Sequence, residues 1–254
     1  MSQRLNRLRA EMQRAGVAAV AVVPGSNLSY LTGLDMHINE RLAVAFFPSA
    51  GQPVMVLPAL EQPRAAAQAH FPMRFYPWTD SEGPHEALGR AMADLQLDGA
   101  RLGVEYTAMR VLELRSIEQA APEVVVGDAT PILAALRMTK DAQELAAMRT
   151  AVHIVERTLE VAISQIKVGM TERALANIWD AAMREIGSAP SFGTIVASGP
   201  NAANPHHSNT DRAFQPGDLI IMDGGAVYQG YASDITRTVV LGEPSAEARR
   251  LYEL

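Results

Sequence analysis

The stretch LIIMDGGAVYQGYASDITRTVVLG, residues 219–242, decides how the second half of the chain folds. Two runs rich in apolar and β-branched residues flank the tight sequence Tyr228-Gln229-Gly230, the pattern of two strands joined as a hairpin. Each run carries one carboxylate, Asp223 on the first and Asp234 on the second. With Tyr228 and Gln229 at the centre of the turn, Asp223 falls directly opposite Asp234. Directly opposed side chains share a face, with Cβ atoms roughly 5 Å apart. Like charges that close repel unless a proton or a cation lies between them, and apolar neighbours raise the cost of leaving the pair uncompensated. Three arrangements answer that cost. The aspartates share a proton, or they hold one or two divalent cations with ligands from elsewhere, or one of them caps a turn or pairs with Arg237. Spacing alone does not choose among them.

Upstream of the hairpin, the polar loop 199-GPNAANPHHSNTDR-212 holds His206 and His207, with Pro205 stiffening the approach to them. A histidine there can donate to a carboxylate or a substrate carbonyl, or carry a proton. His37, His70, His85 and His153 have no such partner spacing and are expected to be side chains without a role. FGTIVAS, residues 192–198, reads as one more strand before this loop.

Further towards the N-terminus the pattern becomes helical. Asp141 followed by Glu144 forms a capping box that opens a long amphipathic helix. Leu145, Met148, Val152, Val155, Leu159, Ile163 and Ile166 recur at helical spacing and predict its buried face, and Lys167-Val168-Gly169 is expected to end it. Thr171 caps the next helix, for which Leu175, Ile178, Ala182 and Ile186 predict the buried stripe and Gly187 the stop. Before residue 138 the chain alternates. Apolar runs at 17–23, 42–48, 53–59, 74–78 and 101–106 predict strands, and helical stretches lie near 84–95 and 107–119, the outline of an α/β domain. A boundary near 138 divides the chain into domains of 1–137 and 138–254.

Composition narrows the function classes. The chain of 254 residues has no cysteine, so any metal must be held by oxygen and imidazole nitrogen. A net charge of -6 without basic blocks argues against nucleic acid as a partner. No apolar run reaches membrane-spanning length. The N-terminal segment MSQRLNRLRAEMQRAG is an amphipathic helix and not a signal peptide, so a cytoplasmic location is expected.

The pattern D-x-G-x-x-x-x-G-Y-x-x-D-x-T-R-T, which residues 223–238 satisfy, resembles that of the Xaa-Pro aminopeptidases and Xaa-Pro dipeptidases, metallopeptidases of family M24. The resemblance covers the chain from about residue 142 onward, and the N-terminal part is similar in size and order to the creatinase-like domain of that family. It implies an α/β creatinase-like domain followed by an α+β pita-bread domain. It also implies a dinuclear site of two divalent cations, Mn, Co or Zn, that activates a water against the bond preceding proline. On the same basis Asp223 is a metal ligand, Asp234 the bridging ligand, His206 the catalytic histidine facing the substrate or tetrahedral intermediate, and His207 a substrate-binding residue. Thr236 and Arg237 are expected to lock the strand. The implied substrate is a small peptide with proline in second position. A homodimer is implied too, in which the loop 34-LDMHINER-41 reaches a neighbouring site. The family completes its metal site with a further His and two Glu from later strands, whereas this chain stops at Leu254, inside a helix begun at Ser245. A fragment of a longer enzyme, incomplete at the C-terminus, is therefore expected. Two other readings compete: a non-peptidase amide hydrolase of the creatinase type, and a non-catalytic binding or dimerisation module.

Overall fold

Continuous apolar runs form the strands of the N-terminal half because both faces of their sheet are covered. The computed structural model describes residues 3–252, and the chain divides into two units, Met1–Thr139 and Lys140–Leu254. In the first unit the elements follow one another as α1 (Gln3–Ala15), β1 (Ala19–Val22), α2 (Ser26–Thr32), β2 (Val44–Pro48), β3 (Val54–Pro58), α3 (Gln62–Gln68), β4 (Arg74–Trp78), α4 (His85–Asp94), β5 (Arg101–Val104), α5 (Val111–Ala120), β6 (Val125–Asp128) and α6 (Thr130–Met138). One six-stranded sheet has the order β4-β3-β2-β1-β5-β6. The pairs β1–β2 and β2–β3 are antiparallel and the others parallel. Every residue of β1, β2 and β3 is buried. Alternation sends Val20 and Val22 to a core shared with Leu5, Leu8, Leu28, Ile132 and Leu136. It sends Ala19 and Ala21 to the opposite core, with Leu88, Met92 and Ile117.

The five expected strands all form, but α2, α3, β6 and α6 go beyond the sequence reading. The α2 segment SNLSYLT is poor in strong helix formers; it is helical because Leu28 and Leu31 pack into the core. The α6 helix runs to Met138, so the division between units falls at Thr139/Lys140 rather than at 137/138.

The second unit contains α7 (Ala142–Ser164), α8 (Glu172–Glu185), β7 (Ile195–Ser198), β8 (Leu219–Gly224), β9 (Val227–Tyr228), β10 (Tyr231–Ala232), β11 (Ile235–Val240) and α9 (Ala246–Tyr252). The capping box is present: Asp141 Oδ1 accepts from the backbone N–H of Gln143 and Glu144, both at 2.9 Å, and Glu144 Oε2 accepts from that of Asp141 at 2.7 Å. Thr171 caps α8 through the Ala174 N–H at 3.1 Å, and Ser245 receives that of Ala248 at 3.0 Å. Both predicted apolar stripes need correction. Val155 and Leu159 are buried as expected, but Leu145 and Val152 are 42% and 39% exposed, and α7 completes its buried face with Ala147, Ala151, Thr158 and Ala162. Small side chains let the neighbouring elements approach closely there. The α8 helix buries Leu175, Ala176, Trp179 and Met183 and leaves Ile186 exposed. Trp179 is the largest fully buried side chain and its indole N–H donates to Thr158 Oγ1 at 3.1 Å, which fixes how α8 is rotated against α7. Among the described residues no helix is long and apolar enough to cross a membrane.

The sheet of this unit has the order β11-β8-β7, antiparallel throughout. The hairpin register differs from the expected one. Asp223 lies opposite Thr236, not Asp234, and Tyr228 opposite Tyr231, so the turn consists of Gln229 and Gly230. A two-residue turn of this type needs positive φ at both central positions. Gln229 at 49° and Gly230 at 80° supply it, whereas a turn centred one residue earlier would force the aromatic Tyr228 into the left-handed region.

Candidate active site

Asp223 is the penultimate residue of β8, half-buried, and its Oδ1 accepts from Thr236 Oγ1 across the strand pair at 2.8 Å. Asp234 precedes β11 and is exposed; among the described residues its carboxylate has no hydrogen-bond or ion-pair partner. Asp234 stands one residue before β11 and two before Thr236, the residue that faces Asp223. Arg237 does not neutralise either one: its guanidinium donates to the Thr236 carbonyl at 2.9 Å. Among the described residues the pairing with Arg237 thus does not occur, and the partner of Asp223 is the Thr236 hydroxyl.

The backbone leading into Asp234 is clamped on all sides. The Ser233 N–H donates to the Ala226 carbonyl at 2.8 Å. Its hydroxyl accepts from the Ala226 N–H at 3.0 Å and donates to the Ala151 carbonyl of α7 at 2.9 Å, while its carbonyl accepts from Ser191 Oγ at 2.9 Å. Gly225 makes this approach possible, since a Cβ there would lie 1.9 Å from the Ser233 carbonyl oxygen. A further tie runs from Tyr231 Oη to Glu144 Oε1 at 2.8 Å.

His206 and His207 share the loop after β7. That strand leaves the sheet at Ser198, opposite Ile220 and away from Asp223, but the loop folds back. Asn209 accepts from the Val196 N–H at 2.7 Å and donates to the Thr194 carbonyl at 2.8 Å, which straddles Ile195, the residue facing Asp223. His206 is exposed, with its backbone N–H on Asn204 Oδ1 at 3.1 Å and its ring free of hydrogen bonds among the described residues. His207 differs. Its side chain is 10% exposed and its Nε2 is 2.8 Å from Oε2 of the fully buried Glu172.

Glu172, the first residue of α8, is a member of the site that the sequence reading missed. Its carboxylate also accepts from Ser198 N and Oγ, Asn201 Nδ2, and Thr210 N and Oγ1, at distances of 2.7 to 3.0 Å. Burial alone would push the carboxyl up, but the hydrogen bonds from Thr210, Asn201 and His207 outweigh it and hold it down at about 2. The sequence offered only an acidic residue after an N-cap, where the helix dipole already favours one. Arg212 braces the same loop through Ser198 Oγ at 2.7 Å and Asp218 at 2.6 and 3.0 Å, which lowers the Asp218 carboxyl.

Asp223 and Asp234 are hard oxygen donors of the kind that divalent cations take. Among the described residues no group of three or more His, Asp or Glu side chains could hold a metal ion, so these two fit as part of a coordination shell. Of the remaining histidines, His37, His70 and His85 belong to the first unit, and His153 pairs with Glu156 at 3.5 Å.

Residues 4–139 match the family described as Creatinase/Prolidase N-terminal domain, and residues 146–254 match Metallopeptidase family M24. A probable dipeptidase, PepE, of Mycobacterium tuberculosis (strain H37Rv) is 33% identical over 258 residues, covering 100% of this chain and 67% of that protein. The Xaa-Pro dipeptidase of Lactobacillus delbrueckii subsp. lactis is 28% identical over 253 residues, covering 98% of this chain and 68% of its own length. Among solved structures, the prolidase of Thermococcus sibiricus superposes with a TM-score of 0.92 at 34% identity, covering 100% of this chain and 69% of the prolidase chain. The chain belongs to metallopeptidase family M24, with a creatinase/prolidase N-terminal domain joined to residues of a pita-bread metallopeptidase domain.

Proposed function

We propose that the protein serves as a metal-dependent peptidase that cleaves the bond preceding proline in small Xaa-Pro peptides, with Asp223 and Asp234 as ligands of two divalent cations. The observation that carries this reading is the exposed carboxylate of Asp234, on a backbone clamped through Ser233 and two residues before Thr236, which faces Asp223; among the described residues it has no counter-charge. The names of the similar proteins, Xaa-Pro dipeptidase and prolidase, support the substrate class. Manganese, cobalt or zinc bound there would supply Lewis acidity and lower the pKa of a coordinated water. This chain's own groups have separate tasks. The free ring of His206 donates to the developing oxyanion or to the leaving nitrogen. His207 keeps one ring edge for the substrate while its Nε2 stays on Glu172. Thr236 orients Asp223. A homodimer and a cytoplasmic location belong to the same proposal; light scattering checks the first and cell fractionation the second.

Asp234→Ala tests the assignment. Bound metal and turnover of Xaa-Pro dipeptides should both fall to background, and full retention of either would sink it. Running creatine-like amides beside Xaa-Pro dipeptides separates this reading from an amide hydrolase of the creatinase type. The scarcity of ligands among the described residues favours a binding module as the second reading. Saturable metal binding by the protein, lost in Asp234→Ala, would exclude that alternative.

A further inference from the structure

We infer that Glu172 is a positioning residue for His206, acting through a two-sided grip on the loop that carries it. The inference rests on the peptidase reading, in which His206 meets the substrate. Between Ser198 and Thr210 the only regular structure is the short 3-10 turn Gly199–Ala203, so the position of His206 has to be set by side chains. Glu172 divides its two oxygens between the two limbs of this loop. Oε1 takes the outgoing limb, through Ser198 N at 2.8 Å, Ser198 Oγ at 2.8 Å and Asn201 Nδ2 at 3.0 Å. Oε2 takes the returning limb, through His207 Nε2 at 2.8 Å, Thr210 N at 3.0 Å and Thr210 Oγ1 at 2.7 Å.

A carboxylate can do this because both of its oxygens accept. Two of the six donors are backbone N–H groups and one is an amide nitrogen, so they cannot reverse their roles. His207 must likewise present an N–H at Nε2, which fixes the ring adjoining His206 in one orientation. Within the loop, the N–H groups of His206 and His207 are held by Asn204 Oδ1 and the Asn204 carbonyl. The grip on His207 therefore reaches His206 through a single peptide unit. Glu172 has no oxygen left for a ligand and is fully buried, so it is excluded from touching substrate or metal itself. All of its effect on the reaction must pass through the loop.

The isosteric variant Glu172→Gln isolates the grip. One of its two terminal atoms becomes a donor facing donors, so one limb is released while the volume is kept. In the whole protein, kcat for a Xaa-Pro dipeptide should fall about 10- to 100-fold, the size of effect that a displacement near 1 Å produces, with bound metal unchanged. In a His206→Ala background the same change should lower kcat by less than about threefold further, because the two residues act as one unit on the chemical step, while its effect through the substrate-binding His207 appears in KM. Full additivity, or loss of metal in step with activity, would overturn the inference in favour of general structural support. Amide hydrogen exchange gives a readout independent of turnover: residues 198–210 should exchange about tenfold faster in Glu172→Gln, with the interior of α8 unchanged. Unaltered exchange in the loop would also overturn it. If the wild-type protein cleaves no Xaa-Pro peptide, the peptidase reading fails, and exchange alone then decides whether Glu172 holds the loop. Should Glu172→Gln not fold, Thr210→Val removes one hydrogen bond at Oε2 and should shift kcat and exchange in the same direction by a few-fold; no shift in either would count against the grip.

Discussion

Glu105 in the first unit and Glu172 in the second are both buried carboxylates, yet they titrate in opposite directions. Glu105 follows β5 and accepts from the Val23 N–H and from Asn27 Nδ2, each at 2.7 Å. Burial pushes its carboxyl up, and those two bonds with the charge of Arg137 only partly offset that. Glu172 is likewise closed off from solvent, but with six donors its carboxyl is held at about 2. Desolvation pushes both carboxyls up, and the larger supply of donors at Glu172 is what reverses the sign there. The supply follows from the surroundings. Around Glu105 lie strands that are apolar on both faces, and among the described residues its donors come from the segment 23–27 after β1. Around Glu172 a polar loop closes from two sides.

The largest expected effect tests that contrast directly. Glu172→Ala leaves several buried donors without an acceptor and should cost the second unit about 3–5 kcal/mol. Glu105→Ala strands two donors and should cost the first unit about 1–3 kcal/mol. Each unit has its own reporter, since the chain has two tryptophans and Trp78 and Trp179 are buried in different units. Urea unfolding followed by fluorescence, with Trp78→Phe isolating Trp179, measures the second unit; Trp179→Phe isolates the first. Equal losses at the two positions would break the comparison.

Acid sharpens it. Glu172 has a folded pKa below its ordinary value of 4.5, so the stability it contributes is present above about 4.5 and is lost as pH falls towards 2. The full effect is roughly 3 kcal/mol. Glu105 has a raised folded pKa, so its contribution is present below 4.5 and is lost as pH rises through the raised value. Measured as the difference between wild type and the corresponding Gln variant, the two pH slopes should have opposite signs. Slopes of the same sign would show that the two sites do not differ in the stated way.

How much of this was legible in the sequence depended on whether the signal was local. The Asp141–Glu144 box, the Thr171 cap and the five apolar strands were readable because each is determined by residues a few positions apart. The hairpin was placed correctly but in the wrong register, because two turns one residue apart both suit a Tyr-Gln-Gly sequence until the cost of positive φ at Tyr228 is counted. The stripes of α7 and α8 were misjudged for a different reason. Large apolar residues were assumed to face inwards, and at Ala147, Ala151 and Ala162 the close approach needs small ones. Residues Asp223, Asp234, His206 and His207 stood out as reactive types in a motif. Glu172 did not, because its six donors sit on four residues between positions 198 and 210 and nothing near it in sequence announces them.

The smallest expected effect lies at the other carboxylate. Glu105→Gln removes a charge that burial disfavours, which stabilises the first unit near neutral pH, but it also replaces one acceptor oxygen by a donor. With only two bonds to satisfy, the amide can turn its remaining oxygen towards the Val23 N–H. Asn27 loses its partner at one end and keeps Arg137 at the other, where Oδ1 accepts from the guanidinium at 2.9 Å. Gain and loss oppose each other, so the net change should stay within about 1 kcal/mol. In Glu172→Gln no rotation of the amide could do the same for six donors spread over both oxygens. If Glu105→Gln proved as damaging as Glu172→Gln in the two-reporter unfolding measurement, the number of donors would not be what distinguishes the sites, and the burial of the charge itself would have to explain both.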